Sequence, residues 1–514
     1  MAENQYKWGT VLVACMAIFI IVLDSSAMNV SITNLVVELN TTLSVIQAII
    51  ALYALIIASF MILGSKLQDI LGRKKTFLLG LLIYGSGTTI ATLSINAGML
   101  LIGWAVLEGI GAAMMFPATT TLVSSSYEGK DKITAFGIWG GIAAMGAAIG
   151  PIVGGIFTTY LSWRLVFGSE LLFIAAILIF KHYLTESKPT LKWKDLDILG
   201  AFLSITSLIL IVLGILLLTR PQNWSYVTVL IGSGSVLFIV FLLWQRRRIK
   251  NGLEPLTDIS LLKNRLFGLG NITSIIQQIP LAGFLFIIPV FLQQVTKANA
   301  FDTGLTLLPA SIIILVFSML GAKFSSVLES KYILMIGFLI SAGGTFILGG
   351  VFNVNTQMMD IIPGTMVFGV GVGLLLSQLT NLTMSAARSD QETDASGLYN
   401  SFKNLGYSIG TALIGVLLLI GIFGGLTTGI ESSGIAGNMT TEQIQNSLFD
   451  YVETMQTKTP QIPPGQVQEA NQIVESTISS AMKQTFNALS LILLLGFITS
   501  IFLPKTKTNP GMKN

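Results

Sequence analysis

The sequence predicts an all-α integral membrane protein with fourteen transmembrane helices. Of its 514 residues, 52% are hydrophobic and only 11% are charged, whereas soluble globular chains carry about 25% charged residues. Long windows such as 39–65 and 198–219 contain no charge at all, and about 20 apolar residues suffice for a helix to cross a bilayer. This composition argues against a soluble enzyme and against a nucleic-acid-binding protein.

The predicted helices follow one another from residue 9 to residue 504. The first apolar run is too long for the core of a signal peptide and has no small-residue cleavage pattern, so we expect it to be retained as a helix. The fourteen spans lie at 9–32, 43–64, 77–95, 97–120, 133–156, 163–183, 198–219, 227–246, 266–292, 303–322, 332–351, 360–385, 397–425 and 486–504.

The basic residues orient these spans. If the N-terminus is cytoplasmic, the charged connections at 66–75, 181–197 and 246–265 all face the cytoplasm. Lys403 lies within a span and is assigned to neither side. The positive-inside rule therefore predicts a multi-pass protein of the cytoplasmic membrane with both termini in the cytoplasm. The basic residues left on the opposite side are Arg164, Arg220, Lys297, Lys458 and Lys483.

The segment 426–485 is the longest polar stretch of the sequence, and the topology makes it an extracytoplasmic loop between helices 13 and 14. Two amphipathic helices are predicted at 441–455 and 465–482, with a proline-rich break between them. A solvated surface loop is favoured over a ligand-binding lid, because lengthening a loop costs little free energy.

The composition also excludes several kinds of site. A single cysteine, Cys15, and a single histidine, His182, rule out a disulfide framework and a cluster of Cys or His ligands around a metal. The sequence has no Walker-type phosphate loop, so we expect neither ATP hydrolysis nor a cofactor. No pairing of a nucleophile with a base is recognisable, which argues against an enzyme.

One glycine-containing motif is the connection GSKLQDILGRKK at 64–75, which carries Gly64, Asp69, Gly72 and Arg73. Its glycines permit a tight turn and a close approach of two helices, and its charged residues can cap a helix, pair with each other or bind anionic headgroups.

A second motif, GAAIGPIVGG, lies in the fifth span at 146–155. Gly146, Gly150 and Gly154 recur every four residues on one helix face, so another helix can approach closely there. Pro151 removes a backbone hydrogen bond and kinks the span, and Gly155 completes the run.

Both motifs resemble signatures of the major facilitator superfamily. The connection is similar to the family's loop between helices 2 and 3, and the second motif matches the antiporter signature Gly-x-x-x-Gly-Pro-x-x-Gly-Gly, which is found mainly in exporters. The end of the first span, LDSSAMNVSI, is similar to the helix 1 signature of the fourteen-helix drug:proton antiporters, with Asp24 and Asn29 in register. Further similarities to these antiporters lie at 163–164, 292–293 and 395–400.

The resemblance implies two six-helix bundles around a central cavity, with two helices inserted between them. The N-terminal bundle is expected at 1–190, the inserted helices at 191–255, and the C-terminal bundle at 256–425 with 486–514. The fourth span departs from the family pattern, because Ala105 stands where the family has Arg and Glu108 where it has Gln. A buried cation is therefore missing and a carboxylate has been gained.

Three carboxylates lie deep in predicted spans, namely Asp24, Glu108 and Glu170. An ionisable group in a membrane span is a functional hypothesis by default, and burial disfavours the charged form of a carboxyl group. We expect these acids to bind either protons or a cationic substrate, so that the two exclude each other. The alternative is that an acid stays protonated and hydrogen-bonds a Ser or Asn, or that Glu170 pairs with Arg164.

Aromatic and amide side chains in the spans are candidates for the cavity wall. An amide in hydrocarbon requires a partner, whereas a single aromatic residue more often contacts lipid or packs between helices. Away from the cavity, we expect Glu38 to be solvated and Asp360 to cap a helix. The cavity candidates are Asn29, Tyr53, Trp139, Gln277, Gln278, Gln378 and Asn381.

The predicted function is proton-driven export of hydrophobic, cationic drugs or toxic compounds by a monomer surrounded by membrane lipids. Its expected partners are protons and lipophilic cations. Two alternatives stay open. One is an exporter of a single physiological solute such as an amino acid, a siderophore or a lipid, since a fold does not fix the substrate. The other is a membrane sensor that binds a ligand without transporting it.

Overall fold

The computed structural model describes residues 2–127, 129–186, 189–219, 224–325, 327–388, 391–433, 443 and 467–504. All regular secondary structure in these residues is helical, which confirms the all-α class. The long helices in this part of the chain are α1 (Ala2–Ala27), α2 (Leu43–Leu71), α3 (Arg73–Thr92), α4 (Ala97–Ser126), α5 (Gly129–Tyr160), α6 (Arg164–Phe180), α7 (Ile198–Leu216), α8 (Trp224–Lys250), α9 (Arg265–Gln294), α10 (Ala300–Phe324), α11 (Ser330–Gly349), α12 (Met358–Met384), α13 (Glu392–Ser433) and α14 (Val467–Ile501).

Thirteen of the helices in the described residues are long and apolar enough to cross a membrane. The helix outside that set is α3, which begins with Arg-Lys-Lys and contains several Gly, Ser and Thr residues. Its 20 residues nevertheless extend about 30 Å, and it packs against α4 and α6 inside the bundle. Thr76, Gly80 and Thr88 are buried against neighbouring helices, whereas the exposed Ser86 and Thr89 hydroxyls donate to backbone carbonyls of α3 itself.

The helices form two groups that face each other. Helices α1 to α6 pack together, as do α9 to α14, while α7 and α8 form a pair that contacts the bundle through α2 and α13. The two groups meet where α2 packs along α13 and where α5 packs along α10. Hydrogen bonds connect α2 to α13. Ser401 donates to the carbonyl of Ala58, and Ser408 donates to the carbonyl of Ala51.

The two groups also meet at the end of the bundle opposite the N-terminus, here called the outer end. Gln293 on α9 donates to the Val30 carbonyl at 2.6 Å, and the Phe301 amide on α10 donates to the Thr159 hydroxyl at 2.9 Å. These hydrogen bonds hold the outer ends of the two halves together in the described conformation.

The last two helices extend into the segment predicted to be a loop. Helix α13 continues to Ser433 and α14 begins at Val467, so the second predicted amphipathic helix is the first part of α14. Gly425 on α13 lies against Thr477, and Gly429 against Ile473, so these glycines let the two helices pack beyond the predicted span. Of the first predicted amphipathic helix, only residue 443 lies within the described residues.

The glycine face of α5 packs against α1. Side chains at Gly150 and Gly154 would overlap Ser26 and Ala27, so the two helices touch through their backbones. The neighbouring Gly155 faces the other half of the molecule, where an added Cβ would lie 2.6 Å from the Ala300 carbonyl oxygen on α10. The second motif therefore holds α5 between a helix of its own half and a helix of the opposite half.

Replacing Gly154 by alanine tests this packing. The added methyl group would overlap the Ala27 carbonyl, and overpacking of this kind typically costs about 1–3 kcal/mol. We expect Gly154→Ala to lower the thermal unfolding temperature of the purified protein in detergent by several degrees. Gly141→Ala, on the same helix, is the matched control. A Cβ atom added at Gly141 would have no atom of another helix within 4 Å. Equal unfolding temperatures for the two variants would contradict the packing argument.

Candidate functional site

The first half of the bundle buries three carboxyl groups close together. Asp24 on α1, Glu108 on α4 and Glu170 on α6 are each 0% exposed. They are near enough for Glu108 to interact electrostatically with both other acids. The three residues are far apart in the sequence, and the packing of α4 against α1 and of α6 against α1 brings them together.

Asp24 is held by an aromatic group. The Trp104 indole nitrogen donates to Asp24 Oδ2 at 2.6 Å. The Tyr53 ring stacks on Trp104 with 5.4 Å between ring centroids, and the edge of Phe167 contacts the same indole. Asp24 Oδ1 has no hydrogen-bond partner among the described residues. The carboxyl group thus has one strong donor, and the Tyr53 hydroxyl lies beside it as a second polar group.

Glu170 does not contact Arg164, the partner considered in the sequence analysis, but a tyrosine. The Tyr84 hydroxyl on α3 donates to Glu170 Oε2 at 2.9 Å. The pairing of Glu170 with Arg164 is wrong, because Arg164 instead forms a salt bridge with Glu38 at 2.7 Å. Glu38 is therefore not simply solvated, since it also accepts a hydrogen bond from Trp163. This pair at the outer end leaves Glu170 without a cation.

Glu108 is the last residue of an irregular stretch of α4. Residues Leu101–Glu108 form a π-helical segment, a local distortion that is frequent at functional sites. No described residue forms a hydrogen bond with either carboxyl oxygen of Glu108. Helix α3 approaches here through Gly87, whose Cβ position lies 2.7 Å from the Glu108 backbone nitrogen. The side chain is therefore enclosed, with the Thr88 hydroxyl on α3 as a polar neighbour.

The charge of this carboxyl cluster, defined as Asp24, Glu108 and Glu170, is not balanced by a base. Among the described residues, no Lys, Arg or His forms an ion pair with any of them. Unpaired charges are costly in a medium of low dielectric, and like charges at short range disfavour each other. Ionisation of all three groups at once is therefore strongly disfavoured.

A cavity of about 220 Å³ lies between the two halves. Tyr53 links it to the carboxyl cluster, because this residue lines the cavity and also stacks on Trp104. None of the three acids lines the cavity. The stacked Tyr53 and Trp104 rings therefore separate the carboxyl cluster from the cavity. The cavity is lined by Ile21, Val22, Ser25, Ser26, Tyr53, Ala54, Ile57, Phe116, Ala147, Gln278, Leu281, Leu376, Asn400, Lys403, Asn404 and Tyr407.

Two of the predicted cavity residues, Tyr53 and Gln278, line this cavity. Asn29 lies just behind the wall, where its amide donates to the Ser25 carbonyl and to the Tyr407 hydroxyl.

The other four predicted cavity residues do not line it, and the prediction needs correction. Gln378 donates to the Gly321 carbonyl on α10 at 2.7 Å, Trp139 donates to the Thr119 hydroxyl, Gln277 is buried between helices, and Asn381 is exposed. For Gln378 and Trp139 the required polar partner is another helix, not a ligand.

Sequence reasoning missed the polar wall that α13 contributes to the cavity. Asn400, Lys403, Asn404 and Tyr407 have the spacing i, i+3, i+4 and i+7, which places them on one face of a helix. All four line the cavity. Polar residues at this spacing in an otherwise apolar span were the available signal. The partners Trp104 and Tyr84 carry no such signal, because aromatic residues are common throughout the spans.

The residues around the connection between α2 and α3 contact the segment after α6, helix α4 and the opposite half. The Asp69 carbonyl accepts hydrogen bonds from the backbone of residues 190 and 191, and Arg73 donates to the Thr121 carbonyl. Gly72 has a φ of 95°, a conformation that favours glycine. Nearby, Lys66 forms salt bridges with Glu254 at 2.8 Å and with Asp394 of α13 at 3.3 Å.

Asp360 caps α12 as predicted, since its carboxylate accepts from the Gln357 backbone at 2.9 Å. In the connection motif at 64–75, Gly64 packs against α4, where its Cβ position lies 2.5 Å from the Ala113 carbonyl oxygen. Both residues therefore have structural roles in the described conformation.

The fold and this arrangement of buried acids beside a central cavity define a membrane transporter. The chain belongs to the Major Facilitator Superfamily, whose family model matches residues 14–197 and 198–411. It is therefore a multi-pass membrane transporter, as the sequence motifs indicate.

Individual relatives include antibiotic and drug resistance proteins. The Methylenomycin A resistance protein of Bacillus subtilis is 25% identical, over 80% of this chain and 87% of that protein. The Multidrug resistance protein Stp of Mycobacterium tuberculosis is 26% identical, over 81% of this chain and 76% of that protein. Among solved structures, a bacterial homolog of the human lysosomal transporter Spinster, in an inward-facing and unoccupied conformation, has the same fold, with a TM-score of 0.64, 12% identity and coverage of 97% of this chain and 98% of that chain.

The hydrogen bond between Trp104 and Asp24 can be tested by mutation. Trp104→Phe leaves a buried carboxyl oxygen without its donor, which typically costs about 1–3 kcal/mol. Trp163→Phe is the control, because its acceptor Glu38 keeps the Arg164 salt bridge and is 40% exposed at the side chain. We expect Trp104→Phe to lower the unfolding temperature in detergent more than Trp163→Phe does. The reverse order would show that the Trp104 hydrogen bond contributes little.

Proposed function

We propose that this protein is a proton-coupled secondary exporter of hydrophobic organic compounds. In this proposal it lies in the cytoplasmic membrane of a prokaryotic cell with both termini in the cytoplasm, and it works as a monomer. The family membership and the resistance proteins among its relatives support export. The positive-inside distribution of basic residues supports the orientation.

The observation that carries proton coupling is the carboxyl cluster. Three acids buried without a base must hold at least one proton, and the energy of a membrane protein's charged groups depends strongly on access to water. If a conformational change admits water to the cluster from one side, it favours ionisation and proton release to that side. Return to the closed state favours proton uptake. The cluster can thus load and unload protons as the two halves move.

The stacked rings of Tyr53 and Trp104 give a route for coupling protons to the substrate. Tyr53 contacts the cavity on one side and covers Trp104 on the other, and Trp104 holds Asp24 directly. A substrate that displaces the Tyr53 ring therefore changes the surroundings of the Asp24 carboxyl group. Direct competition between a cation and a proton, as expected from the sequence, requires in addition that these rings move aside.

Two measurements on the purified protein test proton coupling. Proton release is followed in weakly buffered detergent solution while a panel of hydrophobic aromatic compounds is added, including the lipophilic cation tetraphenylphosphonium. Binding of the same compounds is followed separately by the shift in unfolding temperature. We expect proton release from the wild type with compounds that bind, and its loss in Asp24→Asn and Glu108→Gln. Asn can still accept the Trp104 hydrogen bond, so the first variant removes the proton site with little change in packing.

Asp360→Asn is the control, because this residue caps a helix and Asn can replace it there. Its proton release should equal that of the wild type. Binding without proton release in the wild type would refute proton coupling and favour a uniporter or a sensor. Unchanged release in both acid variants would refute the role of the carboxyl cluster. Release with only one compound among many that are tested would favour the exporter of a single solute.

A further inference from the structure

The cavity wall contains one basic side chain that forms no ion pair with the carboxyl cluster. Lys403 is the charged residue among the side chains that line it. Lys403 forms neither an ion pair nor a hydrogen bond with any described residue. The three acids of the other half lie behind the Tyr53 and Trp104 rings, so they do not meet the ammonium group in this conformation.

The polar groups around Lys403 supply no anion. Gln278 forms no hydrogen bond with a described residue, and its Oε1 atom is buried without a donor. Asn400 and Asn404 use their amide donors on carbonyls of α13 itself. Carboxylates are absent from the wall, so the ammonium group of Lys403 is the strongest recognition element in the cavity.

The helices of the first half contribute apolar side chains to the cavity. Helices α1 and α2 contribute Ile21, Val22 and Ile57, and α4 contributes Phe116, beside the hydroxyl groups of Ser25 and Ser26 on α1. The cavity therefore combines Lys403 and the polar side chains of α13 with apolar side chains of the first half. An amphipathic molecule fits this pattern when its acidic group meets Lys403 and its aromatic or aliphatic body meets these apolar side chains. A partly desolvated ammonium group without a counter-ion is costly, and a bound anion would offset that cost.

We propose that the cavity selects hydrophobic organic anions, with Lys403 as the residue that binds their acidic group. This inference rests on the proposed export function and gives its substrate class, in place of the cationic substrates expected from the sequence. The cavity volume of about 220 Å³ is below the about 300–1,000 Å³ typical of sites for drug-sized ligands. Small aromatic acids therefore suit the described conformation, and larger ones require the two halves to separate.

Three probes with one aromatic body and different charges test this selectivity: naphthalene-2-carboxylate, naphthalene-2-carboxamide and naphthalen-2-ylmethylammonium. Their binding to the full-length protein in detergent is measured by the shift in unfolding temperature across a concentration series, without a proton gradient. We expect the wild type to bind the carboxylate more tightly than the carboxamide, and the carboxamide more tightly than the ammonium compound.

Variants of Lys403 identify the residue responsible. Lys403→Gln should weaken carboxylate binding about tenfold or more, consistent with loss of one charge-assisted hydrogen bond, and leave carboxamide binding unchanged. Lys403→Arg keeps the charge and should retain carboxylate preference. Lys483→Gln is the control for overall charge, because Lys483 is exposed on α14. Unfolding temperatures without ligand show whether each variant is folded.

Several results would overturn the inference. Wild-type binding of the ammonium compound in preference to the carboxylate would do so, as would an absence of carboxylate binding. An equal loss of carboxylate and carboxamide binding in Lys403→Gln would show a general packing role. Because these measurements use no proton gradient, the anion preference can fail while proton-coupled export stands. Conversely, loss of proton release in the earlier experiment leaves the binding preference unaffected.

Discussion

The burial of three carboxyl groups without a base is the constraint on which the rest of this structure depends. The chain places Asp24, Glu108 and Glu170 at 0% exposure and surrounds them with aromatic groups and few hydrogen-bond donors. Trp104 and Tyr84 supply one donor each, and glycine at position 87 lets α3 close over Glu108. The absence of an arginine at position 105 fits the same arrangement, because a fixed cation there would hold a carboxylate in its ionised form.

Much of the fold could be predicted from the sequence, because membrane spans are a one-dimensional signal. Windows without charged residues predicted the helices. Gly146, Gly150 and Gly154 predicted a close helix contact, and in the structure the contacting helix is α1. The three acids could be chosen as candidate site residues for the same reason, since an ionisable residue within an apolar run is visible in the sequence. Their partners could not be predicted, because the direction in which Asp24 or Glu170 points depends on how each helix is rotated within the bundle.

The errors at the cavity have a related cause. Gln378 was expected at the cavity because a buried amide needs a partner, and that partner is the Gly321 carbonyl of a neighbouring helix. The sequence identifies the need for a hydrogen bond but not whether a ligand or the protein meets it. Lys403 presents the opposite case. Its charge is visible in the sequence, but its position on the cavity wall beside Asn400 and Tyr407 follows from the packing of α13 against α2.

This division of polar groups assigns different tasks to the two halves. The first half buries the acids to which we assign proton exchange, and the second half contributes Lys403 and the polar side chains of the cavity through α13. Tyr53 stands between them, since it belongs to α2, lines the cavity and stacks on Trp104. Because α2 packs along α13, a movement between the halves changes the surroundings of this ring. In the proposed mechanism, protons and substrate are coupled through this one aromatic contact without sharing a binding site, so the substrate need not carry the same charge as the proton.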